Sequence, residues 1–243
     1  VWAGDKVAEG RLKGLITSTT QMIESKGVDP FRLDNHVRVL MTSNEDWVVP
    51  AGKDERRYCV LDVAPNAKEN HGYFEEMFAE LDNGGREALL ADLLAFDLST
   101  VNLRKIPRTG ALLEQKLRSL DSVDSFIYER LYEGCLLRAD DTWQPEGYVV
   151  RQLLYDEYLT VADKVGVKRR AEMNQFGRAL KKLIPSIQET RPRDVMGRKR
   201  AYAFPDLAEA RALFETAVGQ AVDWPDDGFG PGDRAGEGAG WKG

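Results

Sequence analysis

The stretch MNQFGRALKKLIPSIQETRPRDVMGRKRAYAF, residues 173–204, decides the fold of the C-terminal half of the chain. Its first eleven residues place Phe176, Leu180 and Leu183 on one face of a helix. Basic side chains occupy the opposite face, so the helix has an apolar side and a charged side. Two strand-like runs then flank a basic turn. The predicted elements are a helix at 173–183, strands at 186–189 and 201–204, and a turn at 191–200.

The flanking sequence extends this pattern in both directions. An amphipathic segment at residues 148–165 predicts another helix just upstream, and residues 205–219 predict a terminal helix. Helix, basic helix, strand, basic loop and strand is the element order of a winged helix-turn-helix. We therefore expect a winged-helix domain over residues 141–224. The Gly- and Asp-rich residues 225–243 predict a disordered tail.

Positive charge is concentrated in this same region. The 243-residue chain has a net charge of −6, yet residues 164–200 hold 12 Lys and Arg against 3 acidic residues. A basic segment on an acidic protein favours contact with phosphates rather than with bases. A solvated surface face is the alternative interpretation. The candidate DNA contacts are Arg178, Lys181, Lys182, Arg191, Arg193, Arg198, Lys199 and Arg200.

The N-terminal part has a different pattern. Residues 6–18 predict a short amphipathic helix, and the polar turn that follows predicts a hairpin with Lys26 near its tip. The runs at 37–41 and 58–63 are β-branched and aliphatic, which is typical of buried strands. Residues 1–66 are therefore predicted to form the last part of an α/β domain.

Helical periodicity dominates between these two parts. Residues 73–98 predict two helices that are interrupted at Asn83-Gly84-Gly85. Two further helices are predicted at 111–120 and 124–133, the second with Asp124 or Ser125 as its N-cap. Residues 67–140 are thus expected to form a small helical module.

Composition excludes several classes of protein. No run approaches the roughly 18 apolar residues of a membrane span. The two cysteines, Cys59 and Cys135, lack metal-site spacing, and His36 and His71 are isolated from each other. The cytosol is therefore the expected compartment. The first residue is Val1 and not Met, so we interpret the chain as a piece of a longer protein.

One pair of residues could carry nucleotide chemistry. Asn44 ends the sequence Thr42-Ser43-Asn44 after the first predicted buried strand, and Arg57 precedes the second. In NTPases, an amide at a strand end can orient the attacking water, and an arginine can neutralise charge on the γ-phosphate. The alternative is that Asn44 caps a turn and Arg57 forms a surface ion pair.

The stretch from LKGLITS at residues 12–18 to RRYCVLDV at residues 56–63 resembles the later half of a superfamily 3 helicase core. The similarity is to bacteriophage primase–helicase and primase–polymerase proteins. The resemblance implies that Asn44 is sensor 1 of motif C and that Arg57, with Arg56 as its competitor, is the arginine finger. It further implies that Lys26 and Lys13 belong to motif B′ and grip single-stranded DNA. Including the winged-helix region, the resemblance covers about residues 1–224.

The resemblance implies an α/β plus α architecture. Residues 1–66 would be the C-terminal part of an AAA+-like P-loop NTPase core, followed by the helical module and the winged helix. The intact protein would be an ATP-dependent DNA helicase that forms a ring, a hexamer, on single-stranded DNA and also binds duplex DNA. ATP and Mg²⁺ would lie between subunits. A primase or polymerase would be fused or associated, and the protein would act in the cytoplasm of the bacterial host during phage replication.

The sequence also departs from this family. It contains no G-x-x-x-x-G-K-[ST] loop, since Gly52-Lys53 lacks both the upstream glycine and the hydroxyl residue. No segment matches a Walker B strand in the family's order. We therefore expect this chain alone not to hydrolyse ATP. The alternative function is a non-catalytic winged-helix DNA-binding regulator with an N-terminal oligomerisation scaffold, in which Asn44 and Arg57 are dispensable.

Overall fold

The computed structural model describes residues 6–102, 105–138, 140, 142–144, 147–194 and 197–225. Its internal contacts divide the chain into two compact units. One unit comprises Val1–Glu55 together with Leu113–Gly243, and the other comprises Arg56–Leu112. The boundaries between these two units differ from the domain boundaries that were predicted at residues 66 and 140. The tail predicted at 225–243 lies, apart from its first residue, outside the described residues.

The first unit begins with a helix and a β-hairpin. Helix α1 spans Lys6–Thr17, and strands β1, Thr20–Ser25, and β2, Val28–Asp34, pair in antiparallel register. The turn is Lys26-Gly27, where Gly27 has a φ of +81° that favours glycine. The Asn35 side-chain amide donates to the Leu15 and Ser18 carbonyls at 2.8 and 2.7 Å and so fixes the hairpin to the end of α1. The predicted hairpin with Lys26 at its tip is confirmed.

The buried strand predicted at residues 37–41 is absent, so that prediction is wrong. This segment forms no strand, and its apolar side chains face solvent, with Leu40 93% exposed. A buried parallel strand needs hydrogen-bonded neighbours on both edges and cover on both faces. Within the described residues, β1 and β2 pair only with each other, and no strand pairs with residues 37–41.

The next segment of this unit is held by helix α4, Gly110–Arg118, which crosses the boundary between the two units. Gln115 donates its side-chain amide to the Asp46 carbonyl at 2.7 Å and accepts from the Val48 backbone N–H at 2.8 Å. The Ser119 hydroxyl oxygen accepts from the Trp47 indole N–H at 3.1 Å. Gln115 and Ser119 thus form hydrogen bonds with backbone groups of this segment, which in a sheet would be hydrogen-bonded to a neighbouring strand.

The C-terminal elements of the first unit are helices, a small sheet and a two-stranded ribbon. The elements are α5 Ser122–Glu133, β3 Val149–Val150, α6 Arg151–Lys164, α7 Met173–Leu183, β4 Gln188–Thr190, β5 Arg193–Asp194, β6 Gly197–Arg198, β7 Ala201–Ala203 and α8 Leu207–Val218. The sheet is three-stranded and antiparallel, in the order β3-β7-β4, and β5 and β6 form a separate two-stranded ribbon. The predicted helices and the predicted pair of strands are confirmed, whereas β3 was not predicted and the β5–β6 ribbon lies where a turn was predicted.

Helix α7 is fixed by the aromatic core beneath it. Phe176 is fully buried, and its ring centroid lies 5.1 Å from that of Tyr158 on α6 and 6.1 Å from that of Phe126 on α5. Gly177 lets the sheet come close, because a Cβ atom there would lie 2.8 Å from the hydroxyl oxygen of Tyr202 on β7. The Tyr158 hydroxyl also accepts from the backbone N–H of Ala171 at 2.8 Å, just before α7 begins.

The N-cap of α5 is Asp121 and not Asp124 or Ser125, which corrects the sequence prediction. The Asp121 carboxylate accepts from the backbone N–H groups of Val123 and Asp124, both at 3.0 Å. Asp124 itself is buried and forms an ion pair with Lys53. Burial raises the pKa of Asp124, and the hydrogen bond from Lys53 opposes that shift.

The second unit contains helices α2, His71–Glu80, and α3, Arg86–Ala95. The predicted break between them is confirmed at Asn83 and Gly84, where the backbone leaves helical geometry. Neither of these two described helices has a buried residue. The buried strand predicted at 58–63 is also absent, and Val63 is 94% exposed, because no described strand is available to pair with it.

Among the residues described, no helix combines the length and the apolar character needed to cross a bilayer.

Candidate nucleic-acid interface

Helix α7 presents three cations to solvent. Arg178, Lys181 and Lys182 are exposed, whereas Phe176, Leu180 and Leu183 on the opposite face are buried. The helical repeat produces this division, because residues three and four apart share a face. A capping box between Glu172 and Gln175 fixes where the helix starts. The exposed basic face predicted from the sequence is confirmed.

The β5–β6 ribbon adds more positive charge. In its antiparallel register, Arg193 lies directly opposite Arg198. Like charges at such positions repel and destabilise a two-stranded ribbon. An anion bound beside the ribbon would relieve that repulsion. Arg191, Arg193, Arg198 and Arg200 are exposed, and Lys199 is half-buried.

An acidic residue, Glu189, lies within this positive surface, and its pairing with Lys181 was not predicted from the sequence. Glu189, on β4, accepts a hydrogen bond from the Lys181 ammonium at 2.6 Å. That hydrogen bond, followed by the charge of Lys181 and by the charges of Arg151 and Arg200, lowers the pKa of Glu189. The carboxylate is therefore ionised at neutral pH and competes with any external anion for Lys181. Pairing of β4 with β7 brings it there, which spacing alone does not reveal.

We expect Glu189→Gln to strengthen binding of duplex DNA, by about two- to fivefold, because a surface ion pair is worth roughly 0–1 kcal/mol. Lys181 would then be available to a phosphate. Fluorescence anisotropy at fixed ionic strength measures the change. Glu76→Gln, at an exposed position on α2, removes the same charge without touching Lys181 or α7 and serves as the control. Equal gains in both variants would show that only net charge matters.

The N-terminal candidates are scattered in the structure. Lys26 is exposed at the hairpin turn. Lys13 forms an ion pair with Glu9, one helical turn earlier on α1. Asn44 is exposed on a bend and follows no strand, contrary to the predicted motif geometry. Arg56 is exposed and Arg57 half-buried, and both belong to the second unit, whereas Asn44 belongs to the first.

These residues do not fit an ATP–Mg²⁺ site within this chain. Asn44 lacks the strand end that would aim its amide at a phosphate. Among the described residues, no three His, Cys, Asp or Glu side chains are grouped to hold a metal ion. The sequence also lacks a glycine-rich loop of the P-loop type. We therefore derive no step of ATP hydrolysis from this chain.

Comparison with known proteins adds one match. Residues 1–57 match the model of DUF5906, a family of unknown function. Neither the curated proteins nor the solved structures gave a match. The matched region covers α1, the β1–β2 hairpin and the segment that contains Asn44.

Proposed function

We propose that residues 141–224 form a winged helix that binds duplex DNA. Helix α7 would lie in the major groove and the β5–β6 ribbon would act as the wing against the neighbouring phosphates. The observation that carries this proposal is the division of α7 into a buried apolar face and an exposed face with Arg178, Lys181 and Lys182. The sheet order β3-β7-β4 and the position of the ribbon between β4 and β7 support it.

The proposed contacts are electrostatic and therefore depend on salt. Each phosphate neutralised by a cation releases condensed counterions and adds about 0.9 to the slope of log K against log salt. The test is an anisotropy titration of a short duplex with the full chain across a salt series. A steep slope supports the proposal, whereas weak binding with a flat slope contradicts it.

A second proposal concerns the intact protein: an ATP-dependent superfamily 3 replicative helicase of phage type that assembles into a ring on single-stranded DNA. The observation in its favour is Lys26, exposed at the tip of an antiparallel hairpin, where it could contact a DNA strand. Residues encoded upstream would then hold ATP and Mg²⁺, and a primase or polymerase domain would be fused or associated. The proposed location is the cytoplasm of the bacterial host.

For that helicase we expect Lys26→Ala to reduce the rate of strand separation of a forked duplex by about tenfold, which corresponds to about 1.4 kcal/mol in the activation free energy. A gel assay with the intact protein and ATP measures it. Lys68→Ala, an exposed lysine outside the hairpin, is the matched control. If the unaltered protein neither turns over ATP nor separates strands, the non-catalytic DNA-binding regulator becomes the better proposal.

A further inference from the structure

A groove lies where the first turns of α6 and α7 approach the end of the basic turn. It encloses about 330 Å³. Val150, on β3, and Met173, on α7, form its apolar lining. The other lining residues are polar or positively charged, and they are Arg151, Gln152, Asn174, Lys199 and Arg200.

Arg151 is held in place by both sides of the groove. Its guanidinium donates to the Met173 carbonyl at 3.3 Å and to the Asn174 side-chain oxygen at 3.1 Å, both at the start of α7. Its backbone N–H donates to the Arg200 carbonyl at 2.9 Å. The Arg151 Nε atom is buried and has no hydrogen-bond acceptor among the described residues. The guanidinium is thus positioned but only partly satisfied.

The groove has an excess of positive charge. Among the described residues, Arg151 and Arg200 form no ion pair, and both line the groove. The nearby carboxylate, Glu189, is paired with Lys181, and the charges of Arg151 and Arg200 also act on it. The first turns of α6 and α7 add partial positive charge at the same place. An anion bound in the groove would lower the repulsion between Arg151 and Arg200.

We propose that this groove binds a backbone phosphate of duplex DNA, next to the phosphates that α7 reaches. This inference rests on the proposed winged-helix function. Arg151 would bind the phosphate oxygens from the wall of the groove, Arg200 would bind them from its rim, and Asn174 would donate its side-chain N–H. Arg151 is hydrogen-bonded to the start of α7. A phosphate bound to Arg151 would therefore set how far α7 enters the major groove of the DNA.

The test is Arg151→Gln in the full chain, with Arg169→Gln as the matched control, since Arg169 is an exposed cation of the α6–α7 loop outside the groove. We expect Arg151→Gln to lower duplex affinity by about three- to tenfold and the salt slope by about 0.9, the value of one phosphate contact. Arg169→Gln should change both by less. Arg151→Lys, which keeps the charge, should keep most of the slope.

A second measurement locates the contact. Replacing one phosphate at a time by an uncharged methylphosphonate should reveal a position that weakens binding to the unaltered protein and has no further effect on Arg151→Gln. An unchanged salt slope in Arg151→Gln, while a variant with Lys181, Lys182 and Arg198 each changed to Glu still loses DNA binding, would overturn this inference alone. If neither variant changes DNA affinity, the proposed function itself fails. Circular dichroism melting shows that each variant is folded.

Discussion

Reversing four charges, with Lys181, Lys182, Arg198 and Arg200 each changed to Glu, is expected to lower duplex affinity by on the order of 10²–10³-fold near physiological salt. These residues lie on α7, on β6 and at the start of β7, and all four are exposed. The salt slope should fall by about 3.6, which is 0.9 for each of the four lost phosphate contacts. The loss should be similar for all duplex sequences, because phosphate contacts carry no sequence information.

The control for this variant reverses the same amount of charge elsewhere. Four exposed cations outside the proposed interface, Arg11, Lys68, Lys105 and Arg108, are changed to Glu together. Anisotropy titrations of both variants then separate the local surface from the net charge of the protein. An equal loss in the two variants, or an unchanged slope in the first, would contradict the proposed interface.

The second large effect concerns stability. We expect Phe176→Ala to lower the free energy of unfolding of the C-terminal region by about 3–5 kcal/mol, as for other buried aromatic residues. The ring is fully buried, and its centroid lies 5.1 Å from Tyr158, 5.6 Å from Tyr155 and 6.1 Å from Phe126. Truncation to Ala leaves a cavity, so the surrounding aromatic rings lose contacts outright. Urea denaturation followed by circular dichroism measures the change.

Leu153→Ala on α6 is the comparison, because this leucine is 52% exposed and its loss should cost less than about 0.5 kcal/mol. Since Phe176 and the basic residues share α7, the aromatic variant should also lose DNA affinity at temperatures where it unfolds. A stability of Phe176→Ala equal to that of Leu153→Ala would show that α7 does not pack as described.

Local sequence patterns predicted the C-terminal helices well. The spacing of Phe176, Leu180 and Leu183 determines which face of α7 is buried, and that information lies within a few turns of helix. The hairpin at Lys26 and the break at Asn83-Gly84 were likewise predictable, because turn residues favour such geometry over a short range.

The strands predicted at 37–41 and 58–63 failed for a different reason. Their residues favour a strand, but a buried strand exists only where other strands and covering helices surround it. Among the residues that the structure describes, no strand pairs with either segment. The N-cap of α5 failed on a smaller scale, since Asp121, Asp124 and Ser125 are all suitable caps and only the position of the first helical turn selects Asp121.

The sequence by itself determined the helices of the C-terminal region, the apolar face of α7 and the concentration of basic residues after residue 164, because each depends on composition or on spacing within one element. Only the tertiary structure decided that Glu189 pairs with Lys181, that Arg193 lies opposite Arg198, and that Arg151 meets Arg200 beside the start of α7. These contacts join residues that are 5 to 49 positions apart and depend on strand register and helix packing, which no local pattern encodes.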